Sequence, residues 1–236
     1  VKLFIGIPSY GGISMQFAAA MLTLARTEDL ELALRIGDSY LGKARNELTM
    51  DFLASDCDKM LQIDNDILFS KADVARITSH DVPIVGGVYY KKEANPVVVA
   101  EALENGRKHA DENGLLEVKY MGTGFLCVQR EVFEKMIRAN EHEEWFWYID
   151  EATKELRYDF WPHGVNTKLH RWLSEDWGFG QRAGELGIRS YADTKCVLRH
   201  FGQAIFPILP TPPPPAKREF KLPAAGSNLE LICNKS

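Results

Sequence analysis

No stretch of this chain approaches the ~18 consecutive apolar residues of a membrane-spanning helix, so no span is expected. Cysteine is scarce: Cys57, Cys127, Cys196 and Cys233 stand too far apart for a zinc-type or redox C-x-x-C pattern. Reduced thiols in a cytoplasmic protein are the expectation. Basic excess is missing too. The chain carries 28 Lys and Arg against 33 Asp and Glu, a formal net charge of −5. A nucleic-acid-binding surface usually shows the reverse, so no nucleic-acid partner is expected. An anionic ligand must then be met by local charge or by a metal. No G-x-G-x-x-G follows the first apolar run, which disfavours a dinucleotide-dependent dehydrogenase. There is no internal repeat. "KLFIGIP" starts directly as a strand, so no signal peptide is expected.

What remains is a globular pattern. Of the 236 residues, 45% are hydrophobic, enough for a full core without staples. Apolar runs at Lys2–Pro8, Leu30–Ile36, Lys59–Ile63 and Val82–Tyr90 read as strands. Helices are expected between them. One is Met15–Arg26, apolar on most faces; another is Tyr40–Leu53, with Asp38 or Ser39 as its cap. This alternation predicts an α/β fold with a mixed, mostly parallel central sheet flanked by helices. Further on, Pro96–Ala100 and Leu115–Met121 read as strands, with a turn at Glu112-Asn113-Gly114. "EEWFWYID" and "ELRYDFW" read as a hairpin, Ser174–Leu186 as a helix and Ser190–Leu198 as a last strand. The expected globular unit is 1–206, with a first half 1–90 and a second half 91–206. The segment 207–236 is proline-rich and reads as a tail or linker.

Five places carry candidate chemistry. "QIDNDI" puts Asp64, Asn65 and Asp66 at the exit of the third strand, where open α/β sheets bind ligands. Two carboxylates there suit Mg²⁺ or Mn²⁺ sharing a diphosphate; taken alone, the tripeptide fits a polar turn before a helix capped by Ser70 better. In "GDSYLGKARNEL", Arg45 borders the apolar stripe Leu41, Ala44, Leu48 and Phe52. It can fork to a phosphate or lie over apolar surface. In "SEDWGFGQRAGELG", Asp176 shares a helical face with Phe179, Ala183 and Leu186, while Glu175 lies on an adjoining face. An inward carboxylate needs a partner or a role such as general base; a helix-cap role is the alternative. The glycines of "GTGF" (Gly122 to Phe125) and of "VGGVYY" (Gly86, Gly87) allow a ligand close to the backbone, or mark turns and bulges. His200 follows the last strand and can serve structure or bind a transition metal.

In this order, "IPSYGG", "ARN", "QIDNDI", "GTGF", "SEDWGFGQRAGELG" and a late His resemble a GT-A glycosyltransferase, family-2-like with Anp1-like features, over about Lys2 to Gly202. The resemblance implies a GT-A (Rossmann-like) fold. It implies transfer of a sugar from a nucleotide-sugar, a UDP-sugar expected, to a hydroxyl of a glycan or glycoprotein acceptor. It implies that Pro8, Ser9, Tyr10, Asp38, Arg45, Asp64 and Asn65 hold the nucleotide. Asp64, Asp66 and His200 would hold Mn²⁺ or Mg²⁺. Gly86, Gly87, Gly122, Thr123, Gly124, Phe125 and Trp177 would line the donor and acceptor pocket. Asp176, or Glu175 beside it, would be the base of an inverting transfer. The chain departs from the family in lacking "QxxRW" and in carrying Gly11 where many members have Asn. A non-catalytic glycan- or nucleotide-binding module and a sugar-1-phosphate nucleotidyltransferase are the alternatives. The latter wants a G-x-G-x-R loop that "IPSYGG" does not supply.

Overall fold

The computed structural model describes residues 2–27, 29–92, 97–103, 105–107, 109–167 and 170–202. Pro96 and the proline-rich segment 207–236 lie outside them. In chain order the first half holds β1 (Leu3–Ser9), α1 (Met15–Thr27), β2 (Leu30–Ile36), α2 (Leu41–Ala54), β3 (Lys59–Ile63), β4 (Ile67–Leu68), α3 (Lys71–Ser79) and β5 (Ile84–Val88). There follow β6 (Ala100–Ala102), β7 (Leu115–Met121), β8 (Phe125–Gln129) and α4 (Arg130–Asn140). The last stretch holds β9 (Trp147–Ile149), β10 (Leu156–Tyr158), β11 (Gly164–Asn166), β12 (Arg171–Leu173), α5 (Glu175–Glu185), β13 (Ser190–Val197) and β14 (Arg199–His200).

Eight strands form one sheet in the order β2-β1-β3-β8-β5-β13-β7-β6. Six run one way; β7 and β8 run against them. The sheet is therefore mixed, as expected. β8 comes from the second half of the chain yet lies between β3 and β5 of the first, so both halves share one sheet.

The strand period of two divides the side chains between two cores. Leu3, Ile5 and Ile7 of β1 face Phe17, Met21 and Leu24 of α1 and Val74 and Ile77 of α3. Phe4 faces the other way, toward Leu48 and Phe52 of α2, Phe133 of α4 and Phe179 of α5. Gln62 of β3 lies between the core residues Leu61 and Ile63, so it points to the α2 side, where no apolar partner suits it.

Several local expectations are corrected. α1 is one-sided rather than buried all round: Met15 and Leu22 are exposed. Neither Asp38 nor Ser39 caps α2. Tyr40 is the boundary residue and makes no side-chain cap, while Asp38 Oδ1 accepts from the Tyr40 N–H at 2.9 Å. Ser70 does cap α3, in a reciprocal box with Asp73. α4 and the β11–β12 hairpin were not legible in the sequence.

Candidate active site

The site is built where β1, β2 and β3 end. Ser9 closes β1, and its hydroxyl accepts from Asn65 Nδ2 at 2.8 Å. Asn65 also donates to the Gly12 carbonyl, so the loop after β1 and the turn after β3 are laced together. Pro8, Ser9, Tyr10, Asp38, Ser39, Leu41, Ala44, Asp64, Asn65 and Asp66 line one cavity of about 210 Å³. The residues expected to hold a nucleotide thus share one hollow, except Arg45.

Arg45 lies beneath it, 1% exposed. Its Nη1 donates to Gln62 Oε1 at 2.7 Å and its Nη2 to Asp64 Oδ1 at 2.8 Å. Its Nε lies 3.5 Å from Glu175 Oε1. Burial alone would lower the guanidinium's pKa, but Asp64 and Glu175 outweigh it and hold it above its ordinary value. A fork already closed on protein groups leaves little for a phosphate, so Arg45 supports the site rather than lining it. It also accounts for Gln62, the polar residue of a buried strand.

Asp66 has other partners than Asp64. His200 Nε2 lies 3.4 Å from Asp66 Oδ1, and Lys92 Nζ pairs with Asp66 Oδ2. β14 pairs with β4 to bring His200 there, and the Phe201 N–H donates to the Asp66 carbonyl at 2.7 Å. His200 Nδ1 lies 2.9 Å from the Tyr90 carbonyl. A carbonyl can only accept, so Nδ1 carries the proton and Nε2 is left to bind. Burial would raise the Asp66 pKa, but His200 and Lys92 outweigh it and hold it low. Burial would lower that of His200, but Asp66 holds it above the ordinary imidazole value.

Asp66 and His200 therefore fit a divalent cation: a carboxylate oxygen and an imidazole nitrogen lie side by side near the cavity. Such ions commonly take few protein ligands and complete their shell from substrate phosphates. Lys92 would have to give way. Asp64 is not gathered with this pair. Among the described residues, the one group of three potential ligand atoms within 4.8 Å is Glu31, Asp56 and Cys57, and Lys2 already bridges Glu31 and Asp56.

α5 supplies the remaining acids. The Asp176 carboxylate turns back on its own helix: Oδ1 accepts from the Ser174 hydroxyl and from the Trp177 N–H. Glu175 is the residue that meets Arg45. Burial pushes its carboxyl above the usual range, Arg45 counters this and Asp176 adds to it. Of the two acids, it is Glu175 and not Asp176 that faces Arg45.

Gly86, Gly87, Gly122, Thr123, Gly124 and Phe125 are all buried, and none of them lines this cavity. Tyr89, which drew no attention in the sequence, explains the "GTG" glycines. Its hydroxyl accepts from the Gly124 N–H at 2.8 Å. A Cβ on Gly122 or Gly124 would come within 2.5 or 2.7 Å of that hydroxyl. The neighbour is a phenol, not a ligand. Burial and then Asp64 push the phenol's pKa far up, so it stays neutral. Trp177 is half-buried and stacks on Tyr120 at 4.8 Å.

The Asn of "ARN" has a structural task. The buried Asn46 side chain accepts from the Phe160 and Trp161 N–H groups and donates to Asp159 Oδ1. Thr49 accepts from Trp161 Nε1 at 3.0 Å, and Glu47 pairs with Arg157 at 3.1 Å. One face of α2 thus holds the Asp64 turn and α5; the next holds the aromatic segment.

The chain is similar in fold to A197 from STIV. The two are 18% identical, with a TM-score of 0.55, over 86% of this chain and 87% of that one. At that identity the likeness concerns the fold alone. Weaker likenesses, at TM-scores of 0.43 and 0.42, are to S. aureus TarS 1-349 (12% identity, 85% of this chain, 60% of that one) and to the inositol-1-phosphate CTP transferase from T. maritima (11%, 84%, 88%); no argument rests on either. No family model and no curated protein matches the sequence. Among the described residues, no helix is long and apolar enough to cross a membrane.

Proposed function

We propose that this protein is a metal-dependent glycosyltransferase of the GT-A kind, moving a sugar from a nucleotide-sugar, a UDP-sugar in the first instance, to a hydroxyl of a glycan or glycoprotein. The observation that carries the proposal is the joint placement of two devices at one sheet edge. One is the Asp66–His200 pair beside the cavity lined by Pro8 to Tyr10 and Asp38. The other is Glu175, a carboxyl raised by burial.

Each residue has a role in this reading. Pro8, Ser9, Tyr10, Asp38 and Asn65 hold the nucleotide. Asp66 and His200 would hold Mn²⁺ or Mg²⁺, which would supply positive charge to the leaving diphosphate. Glu175 takes the proton of the attacking hydroxyl onto its carboxylate as the acceptor oxygen bonds the anomeric carbon and the diphosphate oxygen leaves. A raised carboxyl is a better base than an ordinary one. Direct attack opposite the leaving group inverts the anomeric centre. Arg45 keeps Asp64 and Glu175 in place, and Asp176 fixes the start of α5.

Calorimetric titration of UDP tests this, with Mn²⁺ and with EDTA, beside Asp66→Ala. The expected result is binding that weakens by about tenfold or more, ~1.4 kcal/mol, when either the metal or Asp66 is removed. Equal binding in all three conditions would make the Asp66–His200 pair structural and remove the metal from the mechanism.

A further inference from the structure

Arg182 sits on α5 with its side chain only 11% exposed, yet it makes no hydrogen bond among the described residues. Its ion-pair partner Asp159 holds Oδ2 3.7 Å from Nη1, too far for a hydrogen bond, and Nη1 is buried without a hydrogen-bond partner. Instead the guanidinium lies over two rings, 4.8 Å from Trp145 and 5.4 Å from Phe146. A guanidinium nitrogen buried without a hydrogen bond calls for an explanation.

Arg182 forms part of the wall of a cavity of about 250 Å³. Trp145, His163, Gln181 and Glu185 form other parts of it. Trp145 is 54% exposed, and its N–H is already given to Glu143, so the ring offers surface rather than a donor. Gln181 and Glu185 are joined at 3.0 Å, an amide and a carboxylate at one rim. An anion is a poor match, because Glu185 and Asp159 already surround the guanidinium with negative charge. A neutral ligand with many hydroxyls and an apolar face matches every group: ring surface, N–H donors and carboxylate acceptor. That is the chemistry of a sugar ring.

One residue of the cavity wall, His163, also stands near the proposed base. A Cβ on Gly42 would lie 3.5 Å both from His163 Nδ1 and from Glu175 Cβ, so these two side chains flank one point on α2. His163 also lines the cavity. We infer that this cavity is a second acceptor subsite, which holds a neutral sugar unit neighbouring the one whose hydroxyl is glycosylated. The acceptor is then an oligosaccharide rather than a single sugar. This inference rests on the glycosyltransferase reading.

The test is NMR titration of the Trp145 indole resonance, assigned by Trp145→Phe. The probes are maltotetraose, cellotetraose, chitotetraose and mannotetraose, each beside its monosaccharide. At least one tetrasaccharide should shift the resonance and bind more tightly than its monosaccharide. Trp145→Ala and Glu185→Ala, both at exposed positions, should each weaken that tetrasaccharide about fivefold and leave UDP binding unchanged. No shift with any of the four, or unchanged affinity in both variants, would overturn the subsite. A tetrasaccharide that binds at Trp145 while UDP does not bind would keep the subsite and discard the donor reading.

Discussion

Arg45 and Glu175 face each other across the boundary between α2 and α5, and their substitutions have opposite consequences. Arg45→Met would leave Asp64 and Glu175 without their shared cation in a buried setting. Breaking such a pair from one side typically costs about 3 to 5 kcal/mol, so the urea midpoint should fall sharply. Glu175 has a raised carboxyl, which means its ionised form is the less favoured one in the folded protein. Between the ordinary carboxylate pKa and the raised one, the folded state holds more protons. Stability therefore falls as pH rises through that window and stays lower above it. Glu175→Gln removes this penalty while Asp64 still pairs Arg45. A small gain at pH 7, about 1 kcal/mol or less, should accompany loss of transfer. Thermal melts at pH 4 and pH 7 check the sign, since the gain should shrink at the lower pH. Asp66 and Glu175 were legible as site candidates because acids at a strand exit or helix start stand out against an apolar run. The burial of Arg45 was not. Its partners Gln62, Asp64 and Glu175 come from three separate places, and a helix wheel sees none of them.

Among the elements, α2 and α5 are held apart by the backbone that passes between them. A Cβ on Gly42 would meet the Trp161 carbonyl oxygen at 2.7 Å, and one on Gly178 would meet the Pro162 carbonyl oxygen at 1.9 Å. Both helices are thinned where the aromatic segment crosses. The obstacle at Gly178 is main chain and cannot swing away as a side chain can. Gly178→Ala should cost about 3 kcal/mol by overpacking, whereas the open Gly184→Ala control should gain about 1 kcal/mol or less. Urea denaturation of the two variants decides it. The sequence showed both glycines, and the helices around them, because the apolar period of three to four survives in each. What they make room for was illegible, since the crossing segment has no period of its own. For the same reason β11 and β12 went unread. The inner strands β1, β3 and β5 were easier: they are buried on both faces and appear as continuous apolar runs.

At the scale of the molecule, the α3 layer is fastened to the sheet by Asp193 of β13. Its carboxylate is fully buried and accepts from Arg76 Nη2 and from the Lys195 N–H, with His80 Nε2 at 2.8 Å. Burial would raise its pKa, but Arg76 and His80 prevail and hold it below the ordinary value. The stability it contributes is present above the ordinary carboxylate pKa and is lost as pH falls through the depressed one. Asp193→Asn should cost about 3 kcal/mol at pH 7, and the deficit should shrink below about pH 4. Acid titration of the folded fraction, wild type beside variant, shows whether the two curves converge there.

The position of β8 between β3 and β5 bears on how the chain is made. A ribosome that has delivered only the first five strands has released two edges with the piece between them still to come. Until Phe125–Gln129 emerges, β3 and β5 present unpaired backbone to whatever strand is nearest. Asn46 likewise waits for Phe160 and Trp161, its partners 114 and 115 residues downstream. Translation that stalls between these points would yield a sticky fragment rather than a folded half.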